Sequence, residues 1–352
     1  MDDTNEEHRS HPLRTVGIVI AAVLALLIGA LAVIGFTPLL DPDLGADPAP
    51  AATYEEAMES AAELGALDGP EINPLCHTQV LTQGRETERA VVLLHGYTNC
   101  PQQFAVMAQA YFDAGYNVVM ARIPEHGYAD RLTRALSDLS PASLTDFADS
   151  TVDIAAGLGE EVSVVGLSAG GTLAAWLGNQ RDEVTEVALL APLMVPKILP
   201  DITVGPVARI GALIPDIYLW WDNELQEELA SPPYAYPRYS VHSLAALLAV
   251  GRKAQGSLGR EEPLGRVLLV TNENDAAVSN SAGARVADRL TGETTQRDDY
   301  VFTADEGYKH DVVDPQGENA ADLEEIYGTL GPLLGIPNLQ QTLIDATAAQ
   351  AG

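Results

Sequence analysis

The sequence predicts an α/β fold: a mostly parallel sheet with helices on both faces, a cap inserted over the sheet edge, and one apolar helix ahead of the whole. Three observations predict it. From residue 90 onward, continuous apolar runs alternate with helix-length stretches, the pattern of a parallel sheet buried on both faces. A Gly-x-Ser-x-Gly motif, Gly166-Leu167-Ser168-Ala169-Gly170, falls between one such run and the helix that follows it. Residues 16–36 carry no charge at all.

That first segment is built of Val, Ile, Leu, Ala and Gly with one Phe. As a helix it measures about 31 Å, the thickness of a bilayer hydrocarbon core. A buried helix of a soluble domain rarely stays apolar on every face for that length. Arg9 and Arg14 precede it, and no Lys or Arg follows until Arg85. The asymmetry puts a tail, residues 1–15, in the cytoplasm and the rest of the chain outside. A cleaved signal peptide, and hence a secreted protein, is the competing reading. Its apolar core is shorter, about 7–15 residues, and small residues follow it. Here the run is longer and ends on Gly35-Phe36-Thr37-Pro38, so an uncleaved transmembrane signal anchor over 16–36 is expected. Residues 37–53, rich in Pro, Ala and Asp, read as an extended linker that lifts a domain, 54–352, off the membrane.

Within that domain, 54–64 is acidic and Ala-rich and suits a short helix. Strands are expected at 90–94, 116–123, 161–165, 184–190, 266–271 and 299–302, from their apolar, β-branched runs. Helices are expected at 101–114, 143–158, 169–179, 279–290 and 318–330, with Ser143 as an N-cap. The rhythm breaks over 192–239, which holds many prolines and the aromatics Tyr218, Trp220, Trp221, Tyr234, Tyr236 and Tyr239. This stretch reads as the cap.

Composition narrows the function. Among 352 residues, 47% are hydrophobic, enough for one large core. Lys and Arg number 19 against 50 Asp and Glu, a net charge of −31. Such a field repels phosphate backbones, so nucleic acid is not an expected partner. Cys76 and Cys100 are the two cysteines, too few for a cysteine-based zinc cluster. Outside the cytoplasm they are expected to pair. The bond would close a loop of about 24 residues and contribute about 3–4 kcal/mol in the chain-entropy model.

The chemistry centres on Ser168. A sharp strand-to-helix turn pushes its Oγ outward, and small residues on either side let the turn close. The serine then sits at a helix N-terminus, where developing negative charge is favoured. An oxyanion needs two fixed N–H donors. The Ala169 N–H is one, and the Tyr97 N–H, in Leu94-His95-Gly96-Tyr97, is placed to be the other. Of seven histidines, His8 and His11 lie across the membrane and His77 precedes the sheet. His95 and His126 follow early strands, and His242 opens a helix behind the cap. His310, in a loop after the last strand, is the expected base, because the order Ser, acid, His selects it. The acid belongs after the strand 266–271, where Glu273 and Asp275 are both available. Asp275 is further from the strand end and precedes a helix, and Glu273 is the alternative.

Together these residues resemble the α/β-hydrolase superfamily, and within it the bacterial carboxylesterase and monoacylglycerol-lipase group that includes the serine aminopeptidase domain. The resemblance spans about residues 89–330. Four pieces carry it: Leu94-His95-Gly96-Tyr97, Pro124-Glu125-His126-Gly127, Gly166-Leu167-Ser168-Ala169-Gly170-Gly171, and Asp275-Ala276-Ala277-Val278 with His310 downstream. The resemblance implies an α/β-hydrolase fold, places the acid on Asp275, and supports Tyr97 and Ala169 as oxyanion donors. It implies hydrolysis of a small-molecule or lipid ester with no metal or organic cofactor. The second piece departs from the family's Gly-His-Gly, with Glu125 standing for the first Gly. A peptidase, thioesterase or acyltransferase would use the same site. A non-catalytic, membrane-anchored binding protein is the reading from another class, but such proteins usually lack a triad residue, and here all three are present.

Overall fold

The computed structural model describes residues 12–37, 41–226, 229 and 232–351. Most of the expected cytoplasmic tail, with His8, Arg9 and His11, lies outside the described residues. Helix α1, Pro12–Phe36, has 25 residues and covers the expected transmembrane segment. Val16, Ile20, Leu26 and Val33 on it are exposed. Among the described residues no helix is long and apolar enough to cross a membrane. Side chains at 12–15, 18–19, 24 and 27–28 of α1 fall outside that description.

The segment read as a linker does not stand off the body. Asp41 pairs with Arg209 at 2.8 Å and Arg252 at 3.0 Å. Leu44 is buried in the core, and its carbonyl accepts a hydrogen bond from the Trp176 indole at 2.9 Å. The Asp47 N–H donates to Asp149 and the Ala49 N–H to Asp153. Those two carboxylates are gripped from the other side by the fully buried Arg181, at 2.9 and 2.6 Å. A backbone stretch with few internal bonds thus finds its partners on the body and becomes a strap along it.

After the strap come α2 (Tyr54–Gly65), a short edge strand β1 (Gln79–Leu81), β2 (Thr87–Leu94), α3 (Ala105–Asp113) and β3 (Asn117–Met120). Then follow α4 (Pro141–Leu158), β4 (Gly159–Leu167), α5 (Ala169–Gln180) and β5 (Val184–Leu190). The cap contributes α6 (Val204–Gly211) and an antiparallel ribbon of β6 (Tyr218–Trp220) with β7 (Arg238–Ser240). Residues 227–228 and 230–231 of the expected cap lie outside the described residues. The chain closes with α7 (Val241–Ala254), β8 (Arg266–Asn272), α8 (Asn280–Leu290), β9 (Gln296–Phe302), α9 (Leu323–Leu333) and α10 (Leu339–Ala351).

The sheet order is β1-β3-β2-β4-β5-β8-β9, parallel except for β1. Val91 to Leu94 and Val164 to Leu167 are buried without alternation, as a doubly covered sheet requires. Among the expected boundaries that move are three helix starts. Residues 101–104 form a 3-10 turn before α3, because Pro101 at the first position tightens the entry. Helix α4 starts at Pro141 with Ser140 as N-cap. Ser143 is its third residue and closes the capping box rather than capping the helix. The last expected helix begins at Leu323, not 318. The loops bearing His95, Ser168, Asp275 and His310 follow β2, β4, β8 and β9, so they gather beyond the strands' carboxyl ends, where open α/β sheets bind ligands.

Candidate active site

Ser168 sits between β4 and α5 with φ 55° and ψ −111°. A non-glycine residue held there is strained by about 1–3 kcal/mol. The turn is tight enough to exclude side chains on both flanks. A Cβ on Gly166 would fall 2.1 Å from the Gly170 carbonyl oxygen, and one on Gly170 would fall 1.9 Å from the Leu94 carbonyl oxygen. The Ser168 N–H donates to the Leu190 carbonyl at 2.9 Å, which ties the elbow to β5.

His310 lies across the cleft from it. The Asp275 Oδ2 sits 2.7 Å from His310 Nδ1, so Nδ1–H donates and Nε2 is left for the cleft. Asp275 is nearly inaccessible, and its Oδ1 accepts the N–H groups of Ala277 and Val278. Burial opposes the Asp275 charge, but these N–H groups and His310 outweigh it and hold the carboxyl below its usual range. Burial likewise opposes the imidazolium, and the Asp275 bond and charge, with Asp311 adding to them, raise His310 above 6.5. Glu273 turns away and accepts the Ala304 N–H at 2.7 Å. Among the described residues no hydrogen bond joins Ser168 Oγ to His310, but both line one cleft of about 720 Å³. Catalytic contacts of this kind are often long before substrate arrives.

Tyr97 lines the same cleft and Ala169 directly follows Ser168 at the start of α5, and neither N–H donates to another group among the described residues. The loop carrying Tyr97 is held from several directions. Its hydroxyl bonds the Ser240 carbonyl and Ser243 Oγ. Thr98, at φ 63°, accepts the Trp221 indole N–H on its hydroxyl and the Tyr236 N–H on its carbonyl. Behind it, Cys76 and Cys100 form a disulfide with both residues fully buried and Cα atoms 5.3 Å apart.

His95 and His126 do not face the reaction. His95 Nδ1 donates to the Gly96 carbonyl and Nε2 accepts the Ile123 N–H. Burial depresses His95 far below 6.5 and His126 to about 4, so both are neutral struts. Glu125 has φ 64°, the left-handed region where glycine is at ease. Its departure from Gly-His-Gly therefore keeps the turn and accepts a strain of about 1–2 kcal/mol. Gln103, which the sequence did not single out, also reaches the site, accepting the Gly96 N–H at 2.7 Å.

A strained serine at a strand-to-helix elbow, a carboxylate-bound histidine after the last strand and this sheet order define an α/β hydrolase. Residues 91–323 match the alpha/beta hydrolase family, and the chain belongs to it. It is also similar to a thermostable monoacylglycerol lipase from Bacillus sp. (strain H-257), at 27% identity over 168 residues. That match covers 46% of this chain and 60% of the relative, so the chain spans less than two thirds of the curated relative's length. The fold is shared with the monoacylglycerol lipase of Paleococcus ferrophilus, at TM-score 0.53 and 19% identity over 71% of this chain and 97% of that one. It is shared equally with a soluble variant of monoglyceride lipase from Saccharomyces cerevisiae, at TM-score 0.54 and 14% identity over 76% and 90%.

Proposed function

We propose that this protein is a serine carboxylic ester hydrolase tethered to the membrane by α1, with its catalytic body outside the cytoplasm. The observation that carries the catalytic reading is the strained Ser168 elbow opening into the same cleft as the Asp275-bound His310. Ser168 Oγ attacks the ester carbonyl carbon while His310 Nε2 takes its proton. The oxyanion forms against the Tyr97 and Ala169 N–H groups. Collapse breaks the bond to the alcohol oxygen, which leaves with the proton from His310. Water, deprotonated by His310, then attacks the acyl-enzyme, and Ser168 departs from the acid with its proton restored.

The cleft favours an apolar acyl chain. Leu193, Pro196, Ile198, Trp221, Tyr239 and Leu244 line it. The similarity to monoacylglycerol lipases supports a lipid ester, and short to medium acyl chains or monoacylglycerols are the substrates proposed. The uncharged run at 16–36, the Lys/Arg asymmetry about it and the exposed apolar side chains of α1 support the tether.

A ladder of p-nitrophenyl esters, with a fluorophosphonate probe alongside, tests the catalysis. Hydrolysis and labelling are expected together, and a folded chain that shows neither would overturn the reading. The tether is tested by membrane fractionation. The full chain is expected in the membrane pellet, and recovery of it, intact, from the soluble fraction would count against the anchor.

A further inference from the structure

The loop that offers the Tyr97 N–H and the loop that carries His310 follow β2 and β9, which lie on either side of the serine's strand β4, β9 at the edge. One side chain joins them. The Gln103 Oε1 accepts the Gly96 N–H at 2.7 Å, and its Nε2 donates to Asp311 Oδ2 at 2.7 Å. Asp311 directly follows His310, and its other oxygen accepts the N–H groups of Val313 and Asp314, each at 3.0 Å. Gln103 is buried at the wall of the cleft. The orientation of that amide is forced, since an N–H faces one end and a carboxylate the other.

A second buried link runs alongside. Asp314 accepts the Asn99 amide at 3.0 Å and the Tyr234 hydroxyl at 2.6 Å, and the Asn99 Oδ1 accepts the Cys100 N–H. Carboxylates are costly to bury beside one another. Asp314 is buried and Asp311 half-buried, and each is satisfied by an amide from the segment that carries Tyr97, which makes a cross-brace rather than a chance contact.

We propose that Gln103 and Asp311 are positioning residues, a relay that keeps the oxyanion donor at Tyr97 in register with the base at His310. This rests on the ester-hydrolase reading and deepens it. A tetrahedral intermediate is stabilised only by donors already in place, and it must also stay within reach of the imidazole that shuttles the proton. Two loops that drift independently satisfy one requirement at a time. The relay makes the gap between them a matter of two hydrogen bonds across one rigid amide.

The polarity of the relay supplies its test. In Asp311→Asn the remaining oxygen is needed by Val313 and Asp314, so an amide donor faces the Gln103 donor and the relay breaks. In Gln103→Glu two carboxyl groups meet. In the double variant Gln103→Glu with Asp311→Asn both bonds can form again, the one between the side chains in the reverse sense: the carboxylate accepts from Gly96 as before and from the new amide. Backbone hydrogen exchange over residues 95–99 is measured in all four full-length chains, together with kcat and KM on one p-nitrophenyl ester. Asp311→Asn is expected to exchange at least tenfold faster and to lose tenfold or more in kcat, with KM within threefold of the natural chain. The double variant is expected to return exchange to within threefold and to recover part of kcat, since its carboxylate now lies nearer the oxyanion. Gln103→Leu, which removes both bonds without introducing a charge, is expected to match Asp311→Asn and serves if that variant does not fold. Unchanged exchange in the single variants, or a double variant no better protected than they are, overturns the relay. Exchange reads the loop whether or not an ester is cleaved, so a natural chain that hydrolyses nothing would sink the hydrolase reading and leave the exchange data to judge the relay.

Discussion

The sheet edge and the cap face each other across the cleft and are built on opposite terms. On the sheet side, Ser168 is placed by an elbow no larger residues could flank, Asp275 by two backbone N–H groups, and His310 through the carboxylate so fixed. On the cap side the elements are short, and apolar side chains stand in the open, Ile198 at 84% exposure and Trp221 at 48%. Ile198 and Trp221 also line the cleft. Chemistry is thus assigned to the part of the molecule that backbone geometry over-determines. Choice of substrate is assigned to the part that side chains can alter without disturbing the fold.

The contrast can be broken from either side. The largest effect is expected at Asp275. Asp275→Asn leaves His310 without its orienting charge, and kcat should fall about 10²–10⁴-fold. The carboxylate also raises the His310 pKa, so the acid limb of kcat/KM is expected above pH 6.5 in the natural chain and lower in the variant. The sign for stability is the opposite of that for activity. A raised His310 contributes stability that is complete below pH 6.5 and lost as pH rises through its folded value, the window in which the neutral, active base appears. Residual activity in Asp275→Asn with an unmoved acid limb, and a large loss in Glu273→Gln, would reverse the assignment of the acid.

The strap is expected to matter next. A chain beginning at Asp41 keeps Leu44, its bond to Trp176 and the N–H groups on Asp149 and Asp153. One beginning at Thr53 loses them all and should be about 3 kcal/mol less stable, chiefly through the buried leucine. Thermal melts of the two chains decide it, and equal midpoints would return residues 41–53 to the role of a spacer. The Cys76–Cys100 bond should contribute about 2–4 kcal/mol. Cys76→Ser with Cys100→Ser is therefore expected to melt earlier and to lower kcat more than it raises KM, because the bond backs the Tyr97 loop. Two titratable thiols in protein made in an oxidising compartment would contradict the disulfide. The smallest effect belongs to the cap. Ile198→Ala should raise KM about 3–10-fold for long acyl chains and little for acetate, the range set by losing a few buried methylenes. An equal change across the ester ladder would remove the cap from substrate choice.

Much of the sheet side was legible in the sequence, and the reasons are local. Val184–Leu190 occupies the expected residues because a short, largely apolar run ending in four buried residues suits a strand of a doubly covered sheet. The motif around Ser168 announced its own turn, chain order led to His310, and position after the strand 266–271 together with the family resemblance led to Asp275. The edge strand Gln79–Leu81 is three residues long and has no run to recognise. Ser143 was mistaken for the cap of α4 because either member of a capping box looks like one, and Pro141 at the first position was the better signal. The strap was unreadable for a different reason. Proline and alanine favour an extended chain, but whether that chain hangs free depends on Trp176 and Arg181, far along the sequence. Gln103 was hidden likewise, since an amide in a helix carries no motif and its two partners lie on separate loops.

The central claim is that Ser168 is the activated nucleophile of this cleft. The most direct measurement is mass spectrometry of the full chain after a fluorophosphonate probe, with the adduct mapped to a residue. The account predicts one stoichiometric adduct on Ser168, none in Ser168→Ala of unchanged melting temperature, and loss of ester hydrolysis in the same variant. An adduct on another serine, or natural turnover in folded Ser168→Ala, would contradict it.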